Sequence, residues 1–380
     1  MPNNLGNYDE DFFAQEALIQ LEKALGFASR VYRGYDPTVQ QKGSTIQIRR
    51  PGTFTAQDEP SSIQDLNTDS LSINLDTWKG VRFGLNDKDL TLSAPQIITD
   101  HIRPAAYALA DKIDLALAAI YKQLPNYYLA ATPFTLNDIA DARAAATDLL
   151  WPLEDSENLF FGVTGATEAA ILKGLAASGM QPNQQDVAVR RGTMGRLFDF
   201  EMFQNQNMPT HTSGVSADFT GTVDGANAIG VSSILASGFT AGITYKAGDS
   251  FSIAGDAQRY VISTDGTDAD GNAATLAFTP ALKQATVGAE VLTFYLGGAS
   301  KRQNLMFHRN FAALAMAPLS TMGASFGGTR MSSISDPKTQ LALRVRMWYD
   351  QTNSKVVVAL DALFGVKLLD PQLALRVVQA

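Results

Sequence analysis

Apolar residues recur at steps of three or four between Asp9 and Arg33. Phe13, Ala17, Ile19 or Gln20, Leu21, Ala24 and Phe27 or Ala28 recur at helical spacing, the period of an amphipathic helix. Gly34, Asp36 and Pro37 predict its end. The pattern fits a surface helix of the same subunit and an arm packed on a neighbour equally well. From Lys42 to Phe54 the period changes to two. Ile46 and Ile48 alternate with Thr45, Gln47 and Arg49, as in a half-buried strand. Pro51 and Gly52 break it, and Thr55–Asp69 is polar without a helical period. Leu71, Ile73 and Leu75 then alternate with polar residues, and Val81–Leu85 reads as a further short strand. The turn-like Asp76–Gly80 between them carries Trp78 and Lys79. A long hairpin with a polar rim is predicted, and its exposed edges and indole call for a covering partner.

The strongest helical stripe lies in Ala94–Leu124. Ile98, Ile102, Ala105, Leu109, Ile113, Leu117, Ile120 and Leu124 fall on one side. Ser93 and Pro95 suit its start, Pro104 predicts a kink or restart, and Pro125 ends it. At ~1.5 Å per residue such a helix exceeds about 40 Å and would join two regions as a spine. A second helix is predicted over Phe134–Leu150, with Thr135 and Asp138 spaced as a capping box. Asn158–Val163 reads as a buried strand, Thr167–Leu175 as a short helix and Gly195–Phe203 as an alternating strand.

Composition shifts near Thr210. Ser213–Ser300 is rich in Gly, Thr, Ala and Asp and poor in Lys and Arg, with short alternating segments such as SFSIAG, QRYVIST, ATLAFTP and EVLTFYL. That predicts a small all-β unit inserted in a loop of its host, which requires its two ends to be close. Helical and mixed patterning is expected to resume in NLMFHRNFAALAMAPL. TQLALRVRMWYD and KVVVALD predict an antiparallel hairpin, and GVKLLD and LALRVV further strands.

The chain has 380 residues, enough for two or three folding units, and is 45% hydrophobic and 18% charged, the composition of an ordered globular protein. No apolar run reaches the ~18 residues of a membrane-spanning helix. The acidic start MPNNLGNYDEDFF lacks the features of a signal peptide, so synthesis in a cytoplasm is expected. The absence of cysteine excludes disulfides and thiolate chemistry. With a net charge of -8 and only short arginine pairs (Arg49 and Arg50, Arg190 and Arg191, Arg344 and Arg346), tight direct DNA binding is not expected.

Catalytic patterns are missing. His101, His211 and His308 are far apart in sequence, and no H-E-x-x-H, P-loop or G-x-S-x-G is present. Gly323, Gly327 and Gly328 read as a loop. Asp265–Asn272, DGTDADGN, is superficially calcium-like. With Gly271 as the turn glycine, however, Gly266 and Ala277 occupy required ligand positions, so a hairpin turn is the better reading.

The order of these segments resembles the tailed-phage major capsid (coat) protein with the Hong Kong-type capsid fold. GSTIQIRRPGTF and LSINLDTWKGVRFGLND match its peripheral strand and extended loop, ahead of the spine helix. FTLNDIADARAAATDLLWP, RRGTMGRLFDFEMFQNQNMPTHT and NLMFHRNFAALAMAPL resemble the axial domain of its subgroup with an inserted β-barrel domain, and LALRVRMWYDQTNSKVVVALDALFGVKLL its closing strands. The likeness implies an α+β fold with a helical arm (1–40), peripheral strand and extended loop (41–95), spine helix (96–125), axial domain (126–212 and 301–335), inserted β domain (213–300) and closing strands (336–380). It further implies a non-enzymatic icosahedral shell of hexamers and pentamers, a virion location, scaffolding and portal partners, and weak contact at most with packaged double-stranded DNA. No cofactor, metal, membrane or Lys–Asn crosslink is implied. Phe13, Leu21, Arg33, Arg49, Arg50, Trp78, Lys79 and Arg82 are the candidate intersubunit contacts. Alternatives are an encapsulin-like compartment shell, separable by gene neighbours, a hydrolase with an all-β accessory domain, separable by a turnover screen, and a β-rich surface protein.

Overall fold

The structure is a computed structural model. It describes residues 10–33, 45–49, 70–86, 101–177, 194–215, 220–239, 242–268, 273–295, 300–325, 329–336 and 339–379. In chain order the leading elements are α1 (Glu10–Ala24), β1 (Thr45–Arg49), β2 (Ser70–Asn74), β3 (Thr77–Asn86), α2 (Arg103–Ala118), β4 (Tyr127–Leu129), α3 (Leu136–Asp148), β5 (Leu159–Val163) and α4 (Gly165–Ala177). Next come β6 (Arg196–Leu197), β7 (Phe200–Gln204), β8 (Thr210–His211), β9 (Thr220–Asp224), β10 (Ser233–Ser237), β11 (Thr244–Tyr245), β12 (Ser250–Ile253), β13 (Arg259–Ile262), β14 (Gly266–Thr267), β15 (Ala273–Thr279) and β16 (Val291–Tyr295). The chain closes with β17 (Lys301–His308), β18 (Ala312–Ala317), β19 (Arg330–Ser335), β20 (Ala342–Asp350), β21 (Lys355–Leu368) and β22 (Ala374–Gln379). These elements form two compact units, one of residues 1–117 and 312–369, the other of residues 118–311 and 370–380.

In the first unit a five-stranded sheet is built on β21, whose 14 residues are flanked by β3 on one side and by β20 and then β18 on the other. β19 pairs with β20. α1 lies on β19 and β20, and its apolar face (Phe13, Ala14, Ala17, Leu18 and Leu21) is buried. Each large apolar side chain buried there contributes roughly 1.5–3 kcal/mol. The α2 stripe is also buried at Ile102, Ala105, Leu109, Ile113 and Leu117. Pro104 sits in the first turn of α2, where its missing N–H is not needed. Asp114 on α2 is buried and accepts the N–H groups of Gly26 (2.8 Å), Phe27 (3.1 Å) and Ala28 (3.0 Å). This carboxylate pins the segment after α1. A two-stranded ribbon of β1 and β2 roots its Ile73 and Leu75 among Ala313, Ala315, Ala317 and Leu363. Gly365 permits that approach, because a Cβ there would collide with the Asn74 carbonyl.

In the second unit a mixed sheet runs in the order β4-β22-β17-β5-β7-β6, with β8 also on β17. β5 is buried along its whole length, which explains its unbroken apolar run LFFGV. Its core joins Phe161 and Phe200 with Ile139 and Ala142 of α3 and Ile171 of α4. Asp138 completes the start of α3 by accepting the Thr135 N–H at 2.7 Å. Between β8 and β17 lies a closed barrel, β10-β15-β13-β12-β16-β9. Its interior is filled by Phe251, Tyr260, Phe278 and Phe294, with neighbouring rings 5.1–5.6 Å apart.

Several sequence expectations change. The predicted hairpin of Leu71–Leu75 with Val81–Leu85 does not form: β2 pairs with β1, and β3 pairs with β21 over ten residues. Asp76–Gly80 is no turn, since β3 begins at Thr77. The register with β21 satisfies more backbone groups than a short local hairpin would. Helix α1 stops at Ala24, because the following N–H groups are taken by Asp114. Gly195–Phe203 is a tight hairpin, with Phe198 and Asp199 both at positive φ, as a two-residue hairpin turn requires. NLMFHRNFAALAMAPL is not helical. It forms β17 and β18, split between the two units at Phe311 and Ala312, and burial on both faces hides the strand alternation. The expected spine helix is α-helical only over Arg103–Ala118 and tightens to a 3-10 turn over Ala119–Gln123; its residues 94–100, and the turn residues 34 to 37, lie outside the described residues.

Candidate intersubunit surface

β3 forms one flank of the first unit's sheet and places Trp78, Gly80 and Arg82 on a single face, at alternate positions. The register sets Gly80 opposite Asp361 and Arg344 opposite Asp361 from the other side. Asp361 is 2% exposed. It receives Arg344 Nη2 at 3.0 Å and Arg346 Nη2 at 3.0 Å. Arg344 also reaches the Ser320 carbonyl at 2.8 Å. The guanidinium carbons of Arg344 and Arg346 stand 5.8 Å and 6.0 Å from the Trp78 ring centroid, within cation–π range.

A shallow cavity opens among Trp78, Gly80, Arg82 and Asp361. Gly80 makes it possible, since a Cβ there would strike Asp361 Oδ1. Two arginines thus pair with one carboxylate while Arg82 lines the same cavity, and Trp78 retains 42% exposure. This face is cationic and partly apolar on a chain of net charge -8, the chemistry of a contact with an acidic surface.

The candidate residues divide. Trp78 and Arg82 share the cationic face. Lys79 is exposed on the same strand, but alternation turns it to the opposite face. Phe13 and Leu21 are buried against their own unit, which accounts for their apolar character without a neighbour. Arg33 Nη1 donates to the Thr339 carbonyl at 2.9 Å. Arg49 ends β1, and Arg50 lies outside the described residues. Arg344, Arg346 and Asp361 were missing from the sequence-derived set. The spacing of the two arginines, two apart in an alternating strand, was the available signal.

Among the described residues no group of three or more His, Asp or Glu side chains is arranged to hold a metal ion. No described helix is long and apolar enough to cross a membrane. No family model matches the chain, and no curated protein does. Solved structures do resemble it. One from Mycobacterium phage Che8 is 14% identical, with 93% of this chain and 90% of that chain covered, at a TM-score of 0.49. The capsid of Ralstonia phage GP4 is 10% identical, with 93% and 90% covered, at a TM-score of 0.47. The capsid structure of the Cyanophage P-SCSP1u is 10% identical, with 93% and 86% covered, at a TM-score of 0.45.

Proposed function

We propose that this chain is a major capsid protein of the tailed-phage type, a structural subunit that assembles with copies of itself into a closed icosahedral shell. The observation that carries this reading is the insertion. A closed barrel leaves and rejoins the second unit's sheet through the adjacent strands β8 and β17, at the place where the sequence resembles the capsid subgroup with an inserted β domain. The cationic face of β3 fits the same role. Many modest contacts repeated by symmetry can close a shell without any one being strong.

On this reading the subunits form hexamers and pentamers, the shell encloses double-stranded DNA, and scaffolding and portal proteins guide assembly in the host cytoplasm. The DNA is contacted weakly, as the net charge of -8 favours. The seven-part domain division carries over as part of the proposal. Negative-stain microscopy and sedimentation of the purified chain, alone and co-expressed with its genomic neighbours, test the reading. Shells or ring-shaped capsomers are expected. A monomer at every concentration and with every neighbour would refute it.

A further inference from the structure

The covalent attachment of the barrel is slender. β8 and β17 pair only as Thr210 with Arg302 and His211 with Lys301, extended by a 2.6 Å hydrogen bond between the Thr212 and Ser300 hydroxyls. The neck also grips the start of β12, because its His211 Nε2 and the Gly214 N–H both meet the Asp249 carboxylate. A second set of contacts, sequence-distant from the neck on its host side, holds β12 and β13.

Arg376 lies on β22, the last of the described strands, and has no solvent exposure. Its Nη1 donates to the Gly248 carbonyl at 2.8 Å and to the Tyr121 carbonyl at 3.5 Å, and its Nη2 donates to the Ser250 hydroxyl. Gly248 and Ser250 flank Asp249 at the start of β12. Asp249 is itself buried and bonded to His211 Nε2 at 2.8 Å, with Tyr121 hydroxyl 3.1 Å from His211 Nδ1. Beside this knot, Arg259 of β13 donates to the Tyr127 carbonyl at 2.6 Å and lies 4.2 Å from the Tyr127 ring centroid.

No carboxylate bonds Arg376 directly. Burial lowers its pKa to about 10, opposed by Tyr121, Tyr127 and Asp249, so it remains a cation at neutral pH. A buried cation needs acceptors, and among the described residues this one finds them for Nη1 and Nη2 but not for Nε. Here the acceptors come from the turn after α2 and from the barrel, while the donor comes from the far end of the chain.

We infer that Arg376 is a latch: β22 fastens the inserted barrel onto the sheet that carries it, adding to the neck's hold on Asp249 a second anchor at Gly248 and Ser250. The barrel has its own aromatic core and closes independently of the latch. Seating and barrel formation are therefore separate events, and β22 strengthens the first.

Hydrogen exchange on the full chain tests this with Arg376→Met, which keeps volume and removes the donors, and Arg376→Lys, which keeps charge but cannot span the acceptors. Both should speed exchange at residues 246–253 and 119–124 on the order of tenfold or more, as expected for lost charge-assisted bonds. Protection in β5 and in the β10–β15 pair should hold. Unchanged exchange at the seam, or equal acceleration throughout the second unit, would overturn the latch. If both variants fail to fold, Ser250→Ala removes one acceptor alone. A few-fold acceleration confined to residues 246–253 is then expected, and none there would overturn the inference.

Discussion

Replacing Asp114 by alanine should release the segment that follows α1. The carboxylate accepts N–H groups from Gly26, Phe27 and Ala28 at 2.8–3.1 Å, and it is 3% exposed. Phe27 and Ala28 are fully buried, so water does not replace the lost acceptor. Each stranded N–H costs roughly 1–1.5 kcal/mol at the low end of the range for unsatisfied buried groups. Gly26 is only part-buried, so the two buried N–H groups set the total at about 2–3 kcal/mol. Hydrogen exchange at the amides of residues 26–28 reads this locally. At ~1.4 kcal/mol per decade, exchange should accelerate by roughly thirty- to a hundredfold. Asp114→Asn, which keeps one acceptor oxygen, should fall between. Acceleration under about fivefold in the alanine variant would refute the reasoning, because the segment would then be held by its packing and by its backbone bonds to Ala312 and Leu314 rather than by Asp114.

At Asp249, burial alone would raise the pKa, but bonds from His211, Ser213 and the Lys246 N–H outweigh it and hold it below the ordinary carboxylate value. A depressed folded pKa gives stability present above the unfolded value of about 3.9 and lost as pH falls through the folded one. Asp249→Asn should therefore flatten the acid limb of a stability–pH profile below about pH 4, and an unchanged limb would refute it. Gly80→Ala drives a Cβ into Asp361 Oδ1 and should cost about 1–3 kcal/mol in denaturant unfolding. Trp78→Ala should lower shell yield, while the unassembled subunit loses only about 1 kcal/mol; unchanged yield would remove Trp78 from the proposed interface. Residues 213–300 alone should give a dispersed NMR spectrum, because the aromatic core lies within the barrel, and a random-coil spectrum would refute autonomy.

Legibility followed periodicity. The α2 stripe was readable because one face is apolar and the other polar, so its period survives. The capping pair Thr135 and Asp138, the β20–β21 hairpin and the all-β insertion were readable because each rests on residues close in sequence. β17 and β18 were missed because both of their faces are buried. The cationic face was only half readable. Trp78 and Arg82 stood out, but Asp361 gains meaning only from strands β20 and β21 meeting β3.

By itself, then, the sequence determined the α2 stripe, the Thr135–Asp138 cap, the β20–β21 hairpin and the all-β character and position of the insertion, since these depend on neighbouring residues or on composition. Tertiary structure alone decided that β3 leaves its local partner for β21, that Asp114 captures the turn after α1, and that Arg376 reaches back to the barrel. Each joins residues far apart in the chain. Such pairings are set by which buried polar groups find partners once the core has formed, and no local pattern encodes that choice.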